Sequence, residues 1–339
     1  MTSILEKYVV DFAAGRELAG DDSEAVLDAL ISEQDESRIA NVLTAWNRKG
    51  IEENEIYDFA RILRLRMKCV NSRHETFVDI VGTGGSKAKT FNVSTAAAFV
   101  VAGAGVPVAK HGNKAATSNT GSADVLAELG INPSVDPETA ERCLNDLGIC
   151  FMFAPNHHRL SPTLGKVRRG LGFPTIFNCV GPLCNPALAP HQLIGVWDAE
   201  LVPKMANALA RLGTKRSWIV NGNGLDEISL EDSTTVAEVI GEDVRLVEIG
   251  PETFGIEPCQ IEDIRCSDSV ASSSTIRDVL NGQAAGSAAE NIVLLNAAAA
   301  ISLVRHDIDQ YQAVEIARKS IRSGSARRKM EDLATAIPV

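Results

Sequence analysis

Up to about residue 72 the apolar positions recur every three or four residues and never alternate, which predicts helices only. Ile39, Val42, Leu43 and Trp46 form one such stripe, with Asp35 or Ser37 placed to cap its start and Gly50 to end it. Ile56, Phe59, Ala60, Leu63 and Met67 form the next. Arg61, Arg64, Arg66 and Lys68 decorate that second helix and read as its solvated face. Four short helices make a thin core, so this region is expected to lean on the rest of the chain or on a second subunit. From about residue 75 short apolar runs alternate with helical stretches, the pattern of a mainly parallel sheet flanked by helices. Expected strands are 77–81, 106–109, 149–153, 192–197, 217–220 and 245–249; expected helices include 137–147, 288–304 and 309–322. The fold class is therefore α/β with an all-α N-terminal domain: residues 1–72 helical, 73–339 α/β. Between Ala154 and Pro186 the chain becomes rich in Pro and Gly, with paired histidines and arginines.

The loops after the first two strands carry the first chemical signal. Gly82 to Thr95 (GTGGSKAKTFNVST) is a glycine turn leading into a hydroxyl-rich helix start, which presents amide N–H groups and a helix dipole to an anion. It is not a dinucleotide fingerprint, because Lys87 stands at the third glycine position, and no Gly-Lys-Ser/Thr triplet makes it a P-loop. After the second strand comes a basic, hydroxylated loop, Lys110 to Ser118, and a helix opening near Gly121. Two phosphate-suited loops on consecutive strands point to a substrate with phosphate at both ends. Asp226-Glu227, after the expected strand 217–220, is either a pair of solvated capping carboxylates or a site for Mg²⁺, which takes one or two carboxylates and completes its shell with water and phosphate.

Charge narrows the partners. A net charge of −11 argues against general nucleic-acid binding, so an anionic substrate must be held by local Lys, Arg, amides and metal. Seven cysteines without a CxxC pair favour buried thiols over disulfides or zinc. No signal sequence or membrane-length apolar run is evident, so a soluble, cytoplasmic protein is expected.

GTGGSKAKTFNVST, KHGNKAATSNTGSADVL (110–126), RRGLGFPTIFNCVGPLCNP (168–186) and GLDEIS (224–229) resemble, in order and spacing, the four signature segments of the anthranilate phosphoribosyltransferase family. The resemblance covers nearly the whole chain. It implies a nucleoside phosphorylase/phosphoribosyltransferase-like fold in which a segment near 160–188 returns to the helical domain as a hinge. It implies transfer of the phosphoribosyl group of 5-phosphoribosyl 1-pyrophosphate to anthranilate, with release of pyrophosphate, in tryptophan biosynthesis. Asp226 and Glu227, with the Ser94 hydroxyl, are then expected to hold two Mg²⁺ per subunit, and Asp226, Glu227 and Lys110 to be catalytic. The donor is expected along Gly82, Gly85, Ser86, Thr90, Asn92, Val93, Ser94 and Thr95, and against Lys110, His111, Gly112, Asn113, Lys114, Ala115, Ala116, Thr117, Ser118 and Ser122. The acceptor falls to Gly82, Asn113 and Arg168, with Gly181-Pro182 lining the pocket and His158 at the family's histidine position. Arg168 can meet a carboxylate with two parallel hydrogen bonds; read without the resemblance it is a surface ion pair. His111 has two readings, an acceptor for the amine's released proton or a packed loop histidine. A homodimer is expected, with no nucleic-acid or membrane partner.

The chain departs from the family at four places: Ser86 for the usual Asp, Lys114 for Arg, Asn221 for His, and His158-Arg-Leu-Ser-Pro162 for a His-Pro-Ala run. The last bears on the acceptor. Two other classes remain at this point, a pyrimidine nucleoside phosphorylase and a non-catalytic nucleic-acid-binding relative. The carboxylate pair counts against the first and the acidic balance against the second.

Overall fold

A computed structural model describes residues 3–86, 88–114 and 120–339. The N-terminal region is helical: α1 (Ile4–Ala13), α2 (Ser23–Ser32), α3 (Glu36–Lys49) and α4 (Glu53–Arg66). Asp35 is the cap of α3, accepting from the Ser37 amide at 2.9 Å, and Gly50 ends that helix in a positive-φ conformation. The sheet region follows as β1 (Val78–Gly82), α5 (Val93–Gly103), β2 (Val108–Gly112), α6 (Ser122–Glu128), α7 (Pro137–Leu147) and β3 (Ile149–Phe153). Next come α8 (Ala154–His157), α9 (Pro162–Leu171), α10 (Ile176–Leu183), β4 (His191–Gly195), α11 (Leu201–Arg211) and β5 (Arg216–Asn221). The chain closes with β6 (Thr234–Ile240), β7 (Asp243–Ile249), α12 (Ser269–Leu280), α13 (Ala288–Val304), α14 (Gln310–Arg322) and α15 (Ser325–Ala336).

Among the described residues the strands form one sheet in the order β3-β2-β1-β4-β5-β6-β7. β1 to β5 run parallel, and β6 and β7 add antiparallel to the edge. The six expected strands are present; β3 has the expected bounds, and the other strands differ at one or both ends by at most three residues. β6 is an addition to them, although Thr234-Thr-Val-Ala-Glu-Val-Ile240 is rich in β-branched residues and Gly241 makes its turn into β7. Helices α8 to α12 and α15 are likewise additions to the expected elements.

Alternate residues of the strands feed two cores. Ile80, Leu193 and Trp218 pack with α5 and α13, whose Ala96–Ala98 and Ala297–Ala300 permit close approach of the helices to the sheet. Val81, Ile194 and Ile219 face the other way, into a core shared with α1 to α4, α10 and α11. The thin helical bundle therefore leans on α9, α10 and α11, and through α11 on the sheet. Arg64 is a correction to the solvated-face reading. Its guanidinium is largely buried and donates to the Leu183 carbonyl at 2.7 Å and the Leu212 carbonyl at 3.0 Å, tying α4 to the ends of α10 and α11. Arg66 stays outside and pairs with Glu24 and Asp28.

Candidate active site

Open α/β sheets bind ligands at the carboxyl ends of strands where the winding reverses, here between β1 and β4. At that point Gly82 pairs with Gly195. A Cβ on Gly82 would collide with the Asp226 carboxylate, and one on Gly195 with the Asp226 backbone. The two glycines thus make the floor on which Asp226 rests, and the Gly84 amide fixes its Oδ2 at 2.9 Å. Glu227 stands beside it with the Ser94 amide against its carboxylate. Burial, and then repulsion from Asp226, push Glu227 up to about 8, with Lys110 as the opposing cation; burial also raises Asp226.

This donor set suits a hard cation. The groups are oxygen atoms only, and among the described residues no cluster of three or more His, Cys, Asp or Glu side chains forms a cage for a metal ion. Mg²⁺ needs no such cage, since substrate phosphate and water supply the rest of its shell.

Lys110 lies buried on β2, with its ammonium donating to the Ile80 carbonyl at 2.5 Å and to Ser94 Oγ at 3.2 Å. Burial lowers its pKa, while attraction from Asp79 and Glu227 opposes that shift. The lysine is therefore aimed at the Ser94 hydroxyl in the first turn of α5. Asn92 precedes that helix without capping it through its side chain, whose Oδ1 instead accepts from Thr120 Oγ1 at 2.8 Å and Ser272 Oγ at 2.9 Å. Val93 is buried behind it, and Thr95 Oγ1 is buried without a partner among the described residues. In the glycine loop, Gly85 abuts Pro174 and Trp197, Ser86 Oγ accepts from the Ala88 amide at 3.3 Å, and Thr90 bridges to Arg265. Asn178 of α10 ties this loop down by donating to the Thr83 carbonyl at 3.1 Å.

The second loop leaves β2 at Gly112, where a Cβ would strike Ser122 and Phe151. The Asn113 carbonyl accepts from the Ala123 amide at 3.2 Å and Ser122 Oγ at 3.3 Å, so it joins the loop to the start of α6. Asn113 Oδ1 accepts from the amide of exposed Lys114 at 2.8 Å. Ala115, Ala116, Thr117 and Ser118 lie outside the described residues.

His111 and His158 meet edge to face, Nε2 to Nε2 at 3.3 Å, so one ring donates to the other. Burial holds both neutral. His158 is pushed down to about 4, and His111 well below its usual value with neighbouring His158, His157 and Lys110 adding to the effect. The departure at 158–162 has a structural outcome: Ser161 caps α9, accepting from the Leu164 amide at 3.1 Å, and Pro162 occupies the first turn. The histidine remains inside.

Arg168 projects from α9 over the Phe177 ring, 4.9 Å from its centre. Its Nε is buried without a partner, no described carboxylate pairs with it, and burial followed by Arg169 pushes it down to about 10. The surface-ion-pair reading fails. Phe177 and Gly181 are one turn apart on α10, and the Gly181 backbone lies against the His111 ring. Arg168 is thus a turn away from the histidine pair.

Three residues escape sequence reasoning, Asp79, Asn178 and Asn185, and a fourth, Asn221, stands out there only as a departure from the family. Asp79 and Asn185 form a buried pair at 2.7 Å behind Lys110 and His111; a lone Asp inside Phe-Val-Asp-Ile-Val is the available signal. Asn178 and Asn221 work as braces, the latter through Val196 O at 2.7 Å and the Gly224 amide at 3.0 Å. Asn221 accordingly serves the turn that carries Asp226.

Residues 74–327 match the model of the glycosyl transferase family, a/b domain. An anthranilate phosphoribosyltransferase of Anaeromyxobacter dehalogenans is 45% identical over 297 residues, 88% of each chain. One from Haloarcula marismortui is 41% identical over 97% of this chain and 99% of its own. Among solved structures, the Thermus thermophilus enzyme is 34% identical with a TM-score of 0.87, covering 97% of this chain and 98% of that one. The Saccharomyces cerevisiae enzyme, solved in complex with PRPP and Mg, is 28% identical with a TM-score of 0.89, covering 99% and 98%. The glycine floor under Asp226, the oxygen-only carboxylate pair and the waiting arginine sit in a chain that is a member of the anthranilate phosphoribosyltransferase family.

Proposed function

We propose that the chain transfers the phosphoribosyl group of 5-phosphoribosyl 1-pyrophosphate to anthranilate, giving N-(5-phosphoribosyl)anthranilate and pyrophosphate, a step of tryptophan biosynthesis. The observation that carries this reading is the pair Asp226 and Glu227, crowded together at the glycine-lined ends of β1 and β4 with Lys110 as the facing cation. Asp226, Glu227 and Ser94 would hold two Mg²⁺ per subunit; Mg²⁺, when bound, offsets charge on the departing pyrophosphate. The α5 N-terminus and the two loops, from Gly82 to Thr95 and from Lys110 to Ser122, take the donor's phosphates. Arg168 takes the acceptor carboxylate, and Gly82 and Asn113 border the acceptor. An aromatic amine attacks through a lone pair that carries no proton, so positioning supplies most of what the reaction needs. The His111–His158 pair, held neutral, can take the proton afterwards.

The helical residues 1–72, with a hinge near 160–188, and the α/β residues 73–339 form two domains in this reading; the family match beginning at residue 74 supports that boundary. Exposed Val10 and Leu65 on the helical bundle support a homodimer. Light scattering at micromolar concentration tests it, a monomer being the contrary result. A cytoplasmic location agrees with the reaction, and no helix among the described residues is long and apolar enough to cross a membrane. The test of function is loss of anthranilate fluorescence that requires both phosphoribosyl pyrophosphate and Mg²⁺. Phosphate-dependent nucleoside cleavage in its place would reassign the chain to the phosphorylases.

A further inference from the structure

The β1–β2 seam differs from the other parallel seams of the sheet. β1–β4, β2–β3 and β4–β5 each pair over five residues, whereas β1 and β2 pair only at Val78–Val108. In the same register, a regular parallel ladder would next join the Ile80 amide to the Ala109 carbonyl and the His111 amide to the Ile80 carbonyl. Side chains take all four groups instead. The His111 amide donates to Asp79 Oδ1 at 3.1 Å, and the Ile80 amide donates to the same carboxylate. Asn185 Nδ2 donates to the Ala109 carbonyl at 2.8 Å and to Asp79 Oδ2 at 2.7 Å. Lys110 Nζ takes the Ile80 carbonyl. Asn185 is itself fixed, its Oδ1 accepting from the Ala187 amide at 2.8 Å.

Three polar side chains thus replace two main-chain bonds, and all three are buried: Asp79 is 0%, Asn185 1% and Lys110 4% exposed. A plain ladder would satisfy the same backbone groups without the desolvation of an acid and an amine. Stability therefore does not account for the arrangement. Its effect is spatial. The strands cease pairing before the two phosphate-suited loops diverge, and the lysine that fills the gap reaches Ser94 in the first turn of α5.

We propose that Asp79 and Asn185 are positioning residues that hold the β1–β2 seam open for the phosphoribosyl donor and aim Lys110 at Ser94. This rests on the phosphoribosyl-transfer reading above. It assigns both residues to donor affinity and neither to contact with the reacting atoms.

The test is calorimetric titration of phosphoribosyl pyrophosphate, with Mg²⁺ present, into the full chain and three variants: Asp79→Asn, Asn185→Asp and the double exchange. Each single change places like groups together, a second NH2 against that of Asn185 where Asp79 Oδ2 accepts, or a second carboxylate against Asp79 and the Ala109 carbonyl. Each should weaken donor affinity about tenfold or more, and the double exchange should recover a substantial part, since the two sites couple through one bond. Single variants that melt earlier yet bind the donor as the wild type does would make the cluster merely structural and overturn the proposal, as would a double exchange as impaired as the sum of its parts. A wild-type chain that does not bind the donor at all would instead remove the functional reading. Should the single variants not fold, a crystal structure of the wild-type chain with the donor decides. Lys110 on the Ile80 carbonyl supports the open seam; a ladder zipped from His111 to Ile80 overturns it.

Discussion

The helical bundle and the strand-end site each bury an acid and an arginine, and they treat them in opposite ways. In the bundle, Glu55 is wholly covered and saturated. Its carboxylate accepts from the Leu18 amide at 2.8 Å, the Trp46 indole at 2.8 Å and the Glu52 amide at 3.0 Å, and Lys49 lies 2.8 Å away as an ionic contact. Arg64 likewise spends its donors on two carbonyls. At the site, among the described residues, Glu227 is crowded by Asp226 and faces one cation it does not touch, and Arg168 has an aromatic face but no acid. A buried polar group with its partners complete is architecture; one left short of them is waiting for a ligand.

Breaking the saturated acid should give the largest effect on folding and almost none on chemistry. Glu55→Gln leaves Lys49 buried without its counter-charge, a loss on the order of 3–5 kcal/mol in unfolding free energy. Denaturant unfolding measures it, and the folded fraction should keep its wild-type turnover. A small change in stability would mean that the bundle is not held by this cluster.

Glu227→Gln should do the reverse. The change keeps size but deletes charge at the proposed metal site, so kcat should fall about 10²-fold or more. Added Mg²⁺ should restore some of it by mass action. The thermal midpoint should hold or rise, because the carboxylate is repelled by Asp226 in the folded state. Steady-state kinetics across a Mg²⁺ series checks this, and near-normal turnover would reduce Asp226-Glu227 to an ordinary turn.

The arginines sharpen the contrast at smaller scale. Arg168→Ala should cost roughly 2 kcal/mol or more in kcat/KM for anthranilate, with donor affinity nearly unchanged, because only the acceptor's carboxylate loses its partner. Arg64→Ala should instead lower stability by leaving the Leu183 and Leu212 carbonyls without donors, and should spare both substrates. An equal loss of donor affinity in Arg168→Ala would place that residue in the hinge or the donor site.

The same distinction explains what the sequence discloses. Periodicity locates α3 and α7, nearly unbroken apolar runs locate α13 and β3, and Asp35, Pro137 and Gly148 mark local boundaries. Both phosphate-suited loops and the carboxylate pair are legible too, because glycine turns and adjacent acids stand out locally. Periodicity does not tell Arg64 from Arg66, two residues apart on one helix, since the difference lies in carbonyls more than 100 residues away. Asp79, Asn178 and Asn185 are hidden for the same reason: each braces backbone that is distant in sequence. The apolar stretches of α11 and β6 do carry a local signal, and β6 shows it most clearly in its β-branched run.

The smallest expected effect concerns protons and tests whether the histidine pair belongs to the waiting site. His158 is faced by His111, by His157 and by the Cys184 backbone, and burial keeps it neutral down to about 4. In the unfolded chain a histidine gains its proton near 6.5. Between those values the unfolded chain therefore binds the proton and the folded one does not, so stability falls as the pH is lowered through 6.5 towards 4. At pH 5.5 the loss from this one group is about 1.2 kcal/mol relative to pH 7. Asp79, raised to about 6 by burial, works in the opposite direction over some of the range, so the wild-type curve alone does not isolate the histidine. His158→Asn does. Asn keeps a donor and an acceptor for the His111 ring but has no charge to gain, so the variant's unfolding free energy should decline less between pH 7 and pH 5.5 by about that amount. Parallel curves for the two proteins would show that His158 binds its proton as readily in the folded chain as in the unfolded one, and burial would then not be what keeps the pair neutral.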